Sequence, residues 1–181
     1  DGEKSITSIN TTPESLDIQK NLNEMIKNNC KYCVMEVSSH ALVLNRIDNI
    51  DYEAAVFTNL TQDHLDFHKT LENYKNAKEK LFYKTKSINI FNIDDKVGEE
   101  FFNKSLNRDI KTYTYGVEKE ADFKAANIKL YDDRTEYDLI IDKQKYKVST
   151  PILGNFNVYN TLAAITTCIL LGLSREDVIK R

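Results

Sequence analysis

A chain of 181 residues with 41% hydrophobic and 29% charged residues has enough apolar material for one domain with a sizeable core. Its formal net charge is −3 and its lysines and arginines are spread along the chain, which excludes the concentrated positive surface that nucleic acid requires. The longest apolar stretch, Thr161 to Leu173, is too short to cross a hydrocarbon core of about 30 Å, and no secretory signal is visible; a cytoplasmic protein without membrane insertion is expected.

The chain opens Asp1-Gly2-Glu3-Lys4 with no initiator Met, so an excised piece of a longer protein is expected. From Ser15 to Lys27 the residues Leu16, Ile18, Leu22, Met25 and Ile26 recur at helical spacing, with Pro13 suited to the first turn and Thr12 to the N-cap. Tyr32–Val37 and Ala54–Leu60 are near-continuous apolar runs, read as parallel strands covered on both faces. A helix from Leu71 to about Tyr83 and a strand from Ile88 to Ile93 follow, an alternation that predicts a right-handed α/β sheet.

After Lys111 the pattern changes. Residues 111–117, 124–131, 135–142 and 145–150 alternate as short strands, joined by polar turns such as Asp132-Asp133-Arg134, and read as antiparallel hairpins. Pro151 and Gly154 then precede a helix from about Asn157 to Leu171, and a last helix begins at Ser174 with Glu176 and Asp177 in its first turn. The expected fold is a single α/β domain: a mostly parallel, Rossmann-like sheet flanked by helices, with a small antiparallel subsheet around residues 111–150.

Cys30-Lys31-Tyr32-Cys33 has the spacing of a redox motif, but Cys33 falls inside an apolar strand-like run rather than where a strand meets a helix. Cys30, Cys33 and Cys168 are therefore read as buried free thiols.

Three features look out of place. Lys78 occupies the position that would complete the apolar stripe of Leu71, Tyr74, Leu81 and Phe82. A buried lysine loses hydration, its pKa tends to fall, and its neutral amine can take up carbon dioxide as a carbamate able to bind a hard cation; equally, its stem can pack while the ammonium reaches water. Glu36 ends an apolar run, where its carboxylate is read either as a metal ligand at the carboxyl edge of a sheet or as a cap for the next turn. Thr58 to His68 then places His64, His68, Asp63 and Asp66 close after the second strand, as metal ligands or as a solvated loop.

With these residues in place, the segments Met35-Glu36-Val37-Ser38-Ser39-His40-Ala41-Leu42, Phe57-Thr58-Asn59-Leu60 with Asp63-His64-Leu65-Asp66-Phe67-His68, Tyr74 through Ala77-Lys78 to Leu81-Phe82, Asn10-Thr11-Thr12-Pro13 and Gly154-Asn155-Phe156-Asn157-Val158-Tyr159-Asn160 resemble the Mur ligases, in the expected order over nearly the whole chain. The resemblance implies an ATP-dependent amide-forming ligase of peptidoglycan precursor synthesis. In that chemistry the D-glutamyl carboxylate of UDP-N-acetylmuramoyl-L-alanyl-D-glutamate is phosphorylated by ATP, and the acyl phosphate is attacked by a diamino acid, meso-diaminopimelate or L-lysine. It further implies that Glu36 and His64 coordinate Mg2+, with Lys78, carbamylated, helping to hold a second ion. Asn10, Thr11, Thr12, Ser38 and Arg46 would contact the UDP-muramoyl-dipeptide, and Asn160 would lie near adenine.

Two departures stand out. Some relatives carry Gln two residues before the arginine, where this chain has Leu44. There is also no Gly-x-x-x-x-Gly-Lys-[Ser/Thr] phosphate loop, Gly2-Glu3-Lys4-Ser5 being a decoy. The expectation is therefore a central ATPase-type domain over residues 1–181 that lacks the phosphate loop, the N-terminal UDP-binding domain and the C-terminal amino-acid-binding domain, and that is inactive alone. The rival readings are a folylpolyglutamate-synthetase-like ligase, a metal-dependent hydrolase built on His64, His68, Asp63 and Asp66, and a noncatalytic binding domain.

Overall fold

The amphipathic stretch Ser15–Lys27 forms helix α1 of the computed structural model, which describes residues 5, 7–61 and 65–180. Ile18 is buried, whereas Leu16 and Ile26 are exposed. The helix ends on Asn29 at φ 56°, and the Cys30 N–H returns to the Met25 carbonyl at 2.9 Å, so the last turn's carbonyls are used. At its other end the N-cap is Glu14, which makes no side-chain capping bond, rather than Thr12. Thr12 is fully buried, and its hydroxyl is committed to Ser38 and Glu36 instead.

Tyr32–Val37 does not form the expected strand. Residues 31–38 carry no regular structure, Tyr32 is 63% exposed and Val34 is 98% exposed. An apolar run becomes a strand only when its backbone groups find a ladder, and among the described residues none pairs with this one. For the same reason Cys33 is exposed, and Cys30 and Cys168 are only half-buried; all three are free thiols.

Helix α2 (Ser39–Val43) follows, capped by Ser38, whose Oγ accepts from the Ala41 N–H at 3.2 Å. Helices α3 (Leu65–His68) and α4 (Leu71–Tyr83) complete this part, with α4 capped by Thr70. The buried side of α4 is Tyr74, Ala77 and Phe82, with Lys78 half-buried beside it and Leu71 exposed. Residues 1–51 with 62–84 make one unit, and residues 52–61 with 85–181 make another.

The second unit holds a six-stranded sheet in sequential order: β1 (Tyr52–Phe57), β2 (Thr85–Asn92), β3 (Lys111–Gly116), β4 (Phe123–Leu130), β5 (Thr135–Ile141) and β6 (Gln144–Thr150). Strands β1, β2 and β3 are parallel, and β4, β5 and β6 are antiparallel. The mixed α/β sheet expected from the sequence is therefore present, with one correction: β3 belongs to the parallel half. Helix α5 (Lys96–Ser105), which sequence reasoning missed, is the crossover that brings the chain back in the same direction. Strand β4 also lies parallel to β3, but the pairing is limited to Tyr115 with Phe123 and Gly116 with Lys124. The 117–122 connection is too short for a full crossover, so β4 begins where β3 ends.

Both faces of the parallel strands are covered. Ile88 and Ile90 of β2 join Tyr115, Phe123, Tyr137, Leu139 and Val148 in a core closed by Val158 and Leu162 of helix α6 (Asn155–Leu170). The alternate residue Phe91 meets Phe101 of α5 at 6.4 Å between ring centres, and Phe57 meets it at 5.2 Å. Helix α7 (Arg175–Lys180) follows α6. Among the described residues no helix is long and apolar enough to cross a membrane.

Candidate functional site

In the first unit, a fully buried threonine ties two distant loops together. The Thr12 hydroxyl donates to the Glu36 carbonyl at 2.9 Å, accepts from the Ser38 N–H at 2.9 Å, and lies 3.3 Å from Ser38 Oγ. The Thr12 carbonyl accepts from Arg46 Nη1 at 3.2 Å, and Arg46 Nη2 stands 2.7 Å from Glu14 Oε1. Thr12, Ser38, Glu36 and Arg46, singled out separately in the sequence, thus form one cluster. Its Glu36 backbone is pinned while its side chain is exposed. Thr11 is exposed next to this cluster, and the Asn10 carbonyl accepts from Ser8 Oγ at 2.6 Å.

An aromatic group occupies the same unit. His68, 5% exposed, places Nε2 2.8 Å from Ser39 Oγ and stacks on Tyr74 at 4.9 Å between ring centres. Lys78 Nζ lies 5.3 Å from the centre of the Tyr74 ring, a cation–π contact. His68 is therefore used in packing and in a bond to Ser39, which weakens its reading as half of a zinc pair. His64 and Asp63 lie outside the described residues, as does Gly2-Glu3-Lys4. Among the described residues no group of three or more His, Cys, Asp or Glu side chains is placed to hold a metal.

Cys33 is accessible rather than enclosed in a strand, so its place in the chain does not argue against a Cys30-x-x-Cys33 redox pair, but its electrostatics oppose reactivity. Although the residue is exposed, partial loss of hydration to the chain around it, and then the neighbouring Cys30, push the Cys33 thiol up, which keeps it protonated and a poor nucleophile.

The second unit has its polar centre at the carboxyl ends of β2 and β3. Asp94 Oδ2 accepts from the Val117 and Glu118 N–H groups at 2.6 and 2.9 Å, and Oδ1 accepts from the Lys119 N–H at 2.8 Å. The Tyr159 hydroxyl on the first turns of α6 donates to the same carboxylate. Asp95 caps α5 through the Val97 and Gly98 N–H groups and also accepts from the Leu60 N–H at 3.2 Å. Asn160, next to Tyr159, is exposed and donates to Asn157 Oδ1 at 3.1 Å. Sequence reasoning missed Asp94 and Asp95. Asp95 could have been found as an N-cap before Val97 and Phe101, whereas Asp94 has partners that are mostly backbone groups and leave no sequence signal.

Open sheets of parallel strands with polar loops at their carboxyl ends form a class of small-ligand-binding α/β domains. A family model for the Mur ligase middle domain matches residues 2–168, and the chain belongs to that family. It is 51% identical over 97% of its length to UDP-N-acetylmuramoyl-L-alanyl-D-glutamate–2,6-diaminopimelate ligase of Clostridioides difficile (strain 630), and 47% identical over 98% to the protein of that name in Clostridium botulinum (strain ATCC 19397 / Type A). The chain spans 36% of the length of each of these curated relatives. A solved structure of a ligase with the same name superposes with a TM-score of 0.86 at 30% identity, covering 92% of this chain and 35% of that one.

Proposed function

We propose that this chain is the central part of an ATP-dependent ligase that joins meso-diaminopimelate to UDP-N-acetylmuramoyl-L-alanyl-D-glutamate in the cytoplasm, through an acyl phosphate. The observation that carries this reading is the similarity, across nearly the whole chain, to ligases named for that reaction. Diaminopimelate is preferred over L-lysine because those names specify it.

Under this reading Asn10, Thr11, Ser38 and Arg46 receive the UDP-muramoyl-dipeptide, while Thr12, expected from the sequence to touch it, is fully buried and positions them instead. The Thr12 hydroxyl bonds hold the Glu36 and Ser38 backbone in fixed register, and Arg46 offers a guanidinium to an anionic group. Asn160, exposed on α6, is assigned to the adenine of ATP. The Glu36 carboxylate and a carbamate on Lys78 supply the oxygen donors that suit Mg2+, with the imidazole of His64 assigned beside them by the family resemblance alone, whereas a lysine ammonium has no lone pair to give. The fit thus depends on carbamylation of Lys78, whose half-buried amine lies over Tyr74. When bound, Mg2+ would offset the repulsion between phosphate and carboxylate.

The test is phosphate release by the full-length polypeptide that carries this chain, supplied with UDP-N-acetylmuramoyl-L-alanyl-D-glutamate, ATP, Mg2+ and either diamino acid. Release that depends on both the UDP-linked substrate and meso-diaminopimelate is expected, and release with a folate substrate instead would sink the reading. The 181-residue chain alone, having no Gly-x-x-x-x-Gly-Lys-[Ser/Thr] loop, is expected to give none. For Lys78, a carbamate carbon signal with 13C-bicarbonate that disappears in Lys78→Ala is expected; its persistence would exclude this lysine.

A further inference from the structure

Arg46 is only partly satisfied. Its side chain is 14% exposed; Nη1 is used by the Thr12 carbonyl and Nη2 by Glu14, but Nε is buried with no acceptor among the described residues. A buried donor without a partner is uncommon in a folded protein. Glu14, by contrast, is 58% exposed, and its Oε1 stands 2.7 Å from Arg46 Nη2. It occupies the N-cap of α1, a position that favours Ser, Thr, Asp or Asn, and its side chain caps nothing. The Glu14 carboxylate is drawn away from the helix end and onto the guanidinium.

We propose that Glu14 is an internal stand-in for the anionic group of the ligand and is displaced from Arg46 when that ligand binds. Side-on pairing of a guanidinium with a carboxylate or phosphate uses Nε and one Nη together. Glu14 satisfies Nη2 alone, so a ligand anion that reaches both Nη2 and Nε makes the better partner. The released Glu14 side chain has a favourable place to go, because the first-turn N–H groups of α1 attract negative charge. The arrangement selects for anions that engage Arg46 through two oxygens, and it lowers apparent affinity by the fraction of molecules in which Glu14 holds the arginine. This inference rests on the assignment of Arg46 to the UDP-muramoyl-dipeptide.

The experiment measures KM for UDP-N-acetylmuramoyl-L-alanyl-D-glutamate in the full-length polypeptide, for wild type, Glu14→Gln, Arg46→Gln and the double variant. Because a half-exposed ion pair is weak, Glu14→Gln is expected to lower KM roughly two- to fivefold. Arg46→Gln is expected to raise it roughly tenfold or more, and Glu14→Gln is expected to change nothing further in that background. If Arg46→Gln does not fold by near-UV circular dichroism, Arg46→Lys, which keeps charge and stem but loses the fork, takes its place. An unchanged or raised KM in Glu14→Gln, with the arginine variant impaired, overturns the inference and leaves the substrate assignment standing. An arginine variant with wild-type KM overturns that assignment and the inference with it.

Discussion

The Tyr159 hydroxyl donates to Asp94 Oδ2 at 3.0 Å, joining residues 65 positions apart and tying the start of α6 to the end of β2. Burial by itself would push the Asp94 carboxyl up, but the N–H groups of Glu118, Lys119 and Val117, together with Tyr159, outweigh it and hold the carboxyl below its ordinary 3.8. A carboxyl depressed in the folded state adds stability that is present above the unfolded value and lost as pH falls through the folded one. Urea unfolding should therefore show Asp94→Asn less stable by about 2 kcal/mol at pH 7. The deficit should shrink as pH drops below about 4, since protonation takes the same charge from wild type. Tyr159→Phe should cost about 1 kcal/mol at pH 7.

Gly98 is needed for closeness rather than for backbone freedom. A Cβ there would stand 2.0 Å from the Asn92 carbonyl oxygen and 3.1 Å from Phe57 Cδ1. Alanine normally favours a helix over glycine by about 1 kcal/mol. Here α5 must instead move off β2, so Gly98→Ala should destabilise by about 2 kcal/mol or more, read as a lower urea midpoint with an unchanged slope.

The turn between β5 and β6 places Asp142 at φ 51° and Lys143 at φ 65°. Two successive left-handed residues make the hairpin turn that ordinarily takes Asn-Gly or Asp-Gly. Asp142 is engaged by Arg175 Nη2 at 3.0 Å, which leaves Lys143 as the position to relax. Lys143→Gly should raise stability by about 1 kcal/mol, measurable as a higher melting temperature.

His68 should matter to folding and not to metal. Removing the ring strips a stacking partner from Tyr74 and a hydrogen-bond partner from buried Ser39. His68→Ala should cost about 3 kcal/mol in chemical denaturation. Zinc affinity measured by competition with a chromogenic chelator should be the same in wild type and variant; a strong loss in the variant would revive the hydrolase reading.

Much of the fold could be read locally. Helix α4 spans Leu71–Tyr83 as its periodicity implies, and β4, β5 and β6 match the alternating stretches to within one residue at each end. The direction of β3 is not legible without α5, and Phe101 and Phe102 carry little helical pattern unless Asp95 is recognised as a cap. Tyr32–Val37 failed for the opposite reason, since its composition is strand-like but a ladder depends on a neighbour. Lys78 was legible because it interrupts an apolar stripe. The burial of Thr12 was not, because its bonds run to the Glu36 carbonyl and the Ser38 N–H, 24 and 26 positions away.

Helix α6 touches β1, β2, β3 and β4, and so crosses the boundary between the parallel and antiparallel halves of the sheet. Neither half can open without uncovering Val158 and Leu162, both fully buried. Amide protons in β2 and β5 should then exchange with deuterium at one common free energy, that of losing the helix, and the sheet should behave as one cooperative foldon rather than two.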